Sequence, residues 1–69
     1  MTKTEAAEIL ANHITVQARR RGITQVTKDF IEEERSEAVH AGGQIAAAAR
    51  LYPHWKTIRT AGRRNHNEK

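Results

Sequence analysis

The sequence predicts an all-α fold: a small bundle of three to four short helices with a helix-turn-helix-like pair at the C-terminal end. Apolar residues recur at helical spacing up to Arg20, helix stop signals stand at Gly22, Gly42-Gly43 and Pro53, and the one β-branched stretch, Ile23 to Val26, is too short to make a sheet without a partner strand.

The first helix opens at Thr2 or Thr4. With Thr2 as N-cap, Glu5 stands three residues on and completes a capping box, in which each side chain serves the other's backbone N–H. Ala6, Ile9, Leu10, His13, Ile14, Gln17 and Ala18 then form one apolar stripe. His13 lies inside that stripe and reads as a partly buried structural residue, because no second histidine stands at a spacing that would complete a metal site. Arg19-Arg20-Arg21-Gly22 is a C-terminal signal: the cations oppose the negative end of the helix dipole and the glycine is free to take a left-handed cap. Arg19, Arg20 and Arg21 also make a candidate phosphate patch. The two roles are compatible.

Ile23 to Val26 is read as a connector, and Thr27 as the N-cap of a second helix running from Lys28 to about Ala41, with Val26 and Ile31 as a hydrophobic staple across its start. Phe30, Ile31, Ala38 and Ala41 fall on the inner face. Glu34 points the same way, which places it at the rim or in a pair with an arginine. Glu32, Glu33, Glu34 and Glu37 fan around the helix instead of converging, so they read as a solvated acidic face and not as an acid–base pair.

A single helix could continue geometrically through Gly42-Gly43, but two interior glycines would cost it roughly 2 kcal/mol against alanine. A break is therefore expected, with Gly42 capping the second helix and Gly43 as N-cap of a third from Gln44 to about Leu51. Pro53 enforces its end, since proline lacks the N–H and biases Tyr52 away from helical geometry. A fourth, basic helix is expected from Trp55 to Arg64, with Ile58 and Ala61 as its apolar stripe. Residues 1–64 thus make a single small domain, and residues 65–69 a disordered polar tail.

At 69 residues, the chain can bury only about 60% of the surface it exposes when unfolded. Its large core candidates are Ile9, Leu10, Ile14, Val26, Phe30, Ile31, Val39, Ile45, Leu51, Tyr52, Trp55 and Ile58. So thin a core makes a homodimer an expectation. There is no cysteine, hence no disulfide and no thiolate metal site; no cofactor is expected. No apolar run approaches ~20 residues and no secretory leader is evident, so a cytoplasmic protein without membrane attachment is expected.

Charge is segregated along the chain. Net values are −1 over residues 1–18, +4 over 19–28, −4 over 29–37 and +5 over 38–69. A basic C-terminal half points to an anionic partner, most often nucleic acid.

Residues 42–61 bear on that partner. Gly42, Gln44, the Ala47-Ala48 pair, Thr57, Ile58 and Arg59 resemble the helix-turn-helix of bacterial regulators, particularly the Fis (factor for inversion stimulation) type, and Ala48, Tyr52 and Ile58 have the spacing of its small, turn and apolar positions. Packing explains that spacing: Ala48 lets the second helix cross closely, Leu51 fills the space beneath, and Ile58 with Ala61 closes the core between the two helices. Tyr52 stands where glycine is common, and bears a steric penalty if the turn needs a positive φ. The resemblance implies that the last helix enters the major groove. His54, Lys56, Arg59 and Arg63 would then face the groove, with Arg59 suited to bind guanine through two hydrogen bonds, and Thr57 and Arg64 would contact phosphate together with N–H groups at the helix start. Trp55, the lone tryptophan, is expected in the core.

The function expected is therefore a small DNA-binding regulatory protein. The alternative is a small adaptor or inhibitor, of the kind phages and mobile elements encode, that docks helix on helix with a host protein. No nucleophile with its base, phosphate-cradling loop or metal cluster suggests an enzyme.

Overall fold

The computed structural model describes the backbone of residues 1–67 and the side chains of residues 1–63. It contains four helices, α1 (Lys3–Arg20), α2 (Lys28–Ala38), α3 (Gly43–Arg50) and α4 (Trp55–Asn67), and no strand among the described residues. The fold is the small all-α bundle that the sequence predicts.

α1 is the central element, and all three other helices pack on it. Its start is the predicted capping box: the Glu5 N–H donates to Thr2 Oγ1 at 3.1 Å, and the Thr2 N–H donates to Glu5 Oε1 at 2.8 Å. The bond from the Thr2 backbone, then that with its side chain, hold the Glu5 carboxyl below its ordinary value. A depressed folded-state value means that this contribution is present above the carboxylate range and fades as pH falls through the Glu5 titration. Thr2→Ala should lower stability by about 1 kcal/mol with little change in acid, because the backbone N–H that contributes most to lowering Glu5 remains, and thermal unfolding at two pH values reads this directly.

At its other end, α1 closes in a full Schellman motif. Gly22 takes φ +69°, its N–H bonds to the Arg19 carbonyl at 3.2 Å, and the Ile23 N–H reaches back to the Ala18 carbonyl at 2.9 Å. Ile23 is thereby turned onto the core. Thr27 caps α2 as predicted, accepting the Phe30 N–H at 3.2 Å.

α2 ends at Ala38, three residues before the expected Ala41. The His40 and Ala41 N–H groups bond back only three residues, to Glu37 and Ala38, so the chain tightens before the glycines and leaves Ala41 exposed. Gly42 is then the N-cap of α3, not the cap of α2, with φ +83° and ψ 167°, a region that only glycine occupies without strain. Gly43, at φ +62°, is the first residue of α3. Two consecutive positive φ values redirect the chain sharply enough to lay the alanines of α3 on α1.

Nine of the fourteen residues of the buried apolar core among the described residues are alanine, so much of the core is made by close approach of helix backbones, not by large side chains. Leu10, Ile14, Phe30, Ile31 and Ile58 are the large buried members. Ile9, Val26, Val39, Ile45 and Trp55 pack partly buried against them. Two core expectations fail: Leu51 is 37% exposed and Tyr52 51% exposed, because both lie in the turn after α3.

α4 continues to Asn67, past the expected end at Arg64; the remainder of the expected tail, Glu68 and Lys69, lies outside the described residues. Gly62 sits inside this helix, and a Cβ there would meet Ala11 Cβ at 3.7 Å, an ordinary contact. Gly62→Ala should therefore stabilise the fold by about 0.5–1 kcal/mol, seen as a higher unfolding midpoint.

Candidate nucleic-acid interface

The corner between α3 and α4 sets the direction of the basic helix. After Arg50, Leu51 stays helical and Tyr52 turns to φ +47°, the one positive φ outside glycine among the described residues. The Tyr52 N–H bonds to the Ala49 carbonyl at 3.0 Å. This is half of a Schellman motif: the next residue is Pro53, which has no N–H to complete the second bond. Tyrosine in the left-handed region costs about 1–2 kcal/mol, and something must hold it there.

Arg35 of α2 does so. Its Nη1 donates to the Pro53 carbonyl at 2.7 Å, and its guanidinium lies over the Tyr52 ring at 4.9 Å. Pro53 itself is buried. Sequence reasoning missed Arg35, because the partner lies eighteen residues away and no local pattern marks it.

Ala48 and Ile58 are buried, and Tyr52 has a positive φ. The packing differs from the expectation. α3 and α4 each seat on α1 and α2, and no Cα of α3 lies within 8 Å of one in α4 among the described residues. Ile58 and Ala61 thus close the core against α1 and not a pocket between the two helices, and the exposed Leu51 does not fill a space beneath them.

α4 opens with His54 as its N-cap: the His54 carbonyl accepts the Ile58 N–H at 3.1 Å, and Nδ1 accepts the Lys56 N–H at 3.1 Å. One of the N–H groups expected to meet phosphate is thereby spent within the chain. Ile58 and Ala61 face inward, while Lys56, Thr57, Thr60 and Arg63 are exposed on the outer side. The Arg64 side chain lies outside the described residues.

Trp55 is half-buried against the core and gathers cations. Arg59 lies over its ring at 4.9 Å, Lys28 at 5.5 Å and Lys56 at 5.7 Å, with the His54 ring stacked beside it at 5.6 Å. The indole face draws these charges together electrostatically. Lys28 comes from the start of α2 and was read in the sequence only as a helix-opening residue. Arg59 is less free than expected: its Nη2 donates to the Val26 carbonyl at 3.3 Å, tying α4 to the segment before α2. To reach a base it must give up that bond.

The arginines at the end of α1 divide. Arg21 is committed to the protein, with Nη1 at 3.1 Å from Glu34 Oε2 and 4.0 Å from Glu33 Oε1, and its guanidinium over Phe30 at 5.5 Å. Glu34 is buried, so this is the arginine partner that its inward position requires. Arg19 and Arg20 are exposed, but Arg20 borders a shallow depression shared with the start of α3, away from the cations around Trp55. Among the described residues, the ion pairs within 4.0 Å are made by Arg21, and the cations of α4 enter none.

No helix of the described residues is long and apolar enough to cross a membrane, and no group of three or more His, Cys, Asp or Glu among them is placed to hold a metal ion. No family model matches this chain, nor does any curated protein or solved structure compared with it.

Proposed function

We propose that this chain is a small DNA-binding regulatory protein that lays the outer face of α4 on duplex DNA, in the manner of the bacterial helix-turn-helix its sequence resembles. The observation that carries the reading is the gathering of Lys28, Lys56 and Arg59 around Trp55, continued outward by Arg63, with no carboxylate paired to any of them among the described residues. A cluster of cations unpaired by carboxylates attracts an anionic partner, and the regular phosphates of DNA suit that role. Lys28, Lys56, Arg59 and Arg63 would contact phosphate, Thr57 and Thr60 would face the groove, and Arg59 would also stiffen the platform through Val26. The corner held by Arg35 fixes the angle at which α4 is offered.

The test is a mobility shift with duplex DNA at low salt. Binding is expected, weakened roughly tenfold by Lys56→Gln combined with Arg63→Gln, both exposed positions whose change leaves the core intact. No shift at low salt, or a shift indifferent to that pair, would overturn the reading.

A second reading, the adaptor or inhibitor that docks on a host protein, draws on another surface. Val16 is 45% exposed on α1 beside the half-buried Ile9 and Ile45. Recovery of one stoichiometric protein partner from nuclease-treated extract, abolished by Val16→Asp, would favour it over DNA binding.

A further inference from the structure

An open groove of about 850 Å³ runs between α1, residues 24–28 and α4. Its floor includes Ile14, Ile31 and Ile58, all core residues, and the missing side chain at Gly62 leaves its wall low. Its rim carries Lys28, Arg59 and Arg63, and no carboxylate among the described residues lines it. An apolar floor under a rim of one charge sign is the arrangement of a site for an amphiphilic anion.

The dimensions choose among such anions. Along α1 the groove spans Ala11 to Thr15, about 6 Å at the helical rise, and along α4 it spans Ile58 to Arg63, about 7.5 Å. A docked helix presenting residues i, i+4 and i+7 needs roughly 10 Å of floor. The volume falls within the range of about 300–1,000 Å³ usual for small-molecule sites. We propose that this groove binds a small carboxylate with an apolar body of several carbons, its chain or ring on the three isoleucines and its carboxylate held by Lys28, Arg59 and Arg63. Arg59 bonds the Val26 carbonyl across this space at 3.3 Å, a neutral acceptor that a carboxylate displaces readily. Lys28 and Arg59 belong also to the cations around Trp55, so an occupant competes with phosphate there; that consequence rests on the DNA reading, whereas ligand binding does not.

Titration of the ¹⁵N-labelled chain with octanoate, and separately with octylammonium, tests the proposal without DNA. Octanoate is expected to shift the amides of Val26, Thr27, Ile58 and Gly62 saturably, with a dissociation constant in the millimolar range. Octylammonium should leave them unmoved. Lys28→Gln with Arg63→Gln, exposed positions that spare the fold, should weaken octanoate by roughly tenfold while the spectrum stays dispersed. Unsaturable or scattered shifts, an equal response to octylammonium, or unchanged affinity in the double variant would each overturn it.

Discussion

Arg35→Ala is expected to lower the stability of this protein by about 3 kcal/mol, one of the two largest single effects we predict. The change removes a charged hydrogen bond to the Pro53 carbonyl, about 1.5–3 kcal/mol, and a guanidinium stacked on Tyr52, about 0.5–1 kcal/mol. It also frees Tyr52 from the partner that holds its left-handed backbone. Relief comes from one source: Arg35 Nε is buried without a hydrogen-bond partner, and removing it returns part of the loss. For a domain of this size, about 3 kcal/mol lowers the unfolding midpoint by roughly 12–24 °C. Arg35→Lys should fall between, because one ammonium cannot both reach Pro53 and stack on the ring. A midpoint for Arg35→Ala within a few degrees of wild type would mean that α3 and α4 hold their corner without α2.

The second large effect separates two roles proposed for the arginine run. Arg21→Ala should destabilise the fold by about 1–2 kcal/mol, since it leaves the Glu34 carboxylate buried without its cation. The figure is kept below that of a fully buried pair because Arg21 is 53% exposed and water screens it. Arg19→Ala and Arg20→Ala should change stability by less than about 0.5 kcal/mol, both being exposed. Urea unfolding of the three variants distinguishes them. If instead all three were equally stable and only DNA affinity fell, the run would be a phosphate patch throughout.

What could be read from the sequence was local chemistry. The Thr2-Glu5 box, the left-handed Gly22, the Thr27 cap and the stop at Pro53 each depend on residues within one turn, and each stands where its residues put it. Tyr52 was recognisable as the strained position of the corner for the same reason. The early end of α2 was not legible: Val39-His40-Ala41 carries no stop signal, and the tightening there serves to place α3 on α1. Nor could spacing tell whether Ile58 packs against α3 or α1, since a helical repeat marks the buried face and not the element that covers it. In the candidate site, the exposure of Lys56, Thr57 and Arg63 followed from helical periodicity. The ties from Arg59 to Val26, from Arg35 to Pro53 and from Lys28 to Trp55 join residues far apart in the chain, and no pattern in one element announces them.

The most direct measurement of the central claim, that the cations around Trp55 and along α4 meet DNA phosphates, is the salt dependence of duplex binding. If Lys28, Lys56, Arg59 and Arg63 each neutralise one phosphate, the logarithm of the association constant falls linearly with the logarithm of salt concentration, with a slope of about −3.6. The variant carrying Lys56→Gln and Arg63→Gln should show a slope shallower by about 1.8. A slope near zero, or one that the double variant leaves unchanged, would contradict the account.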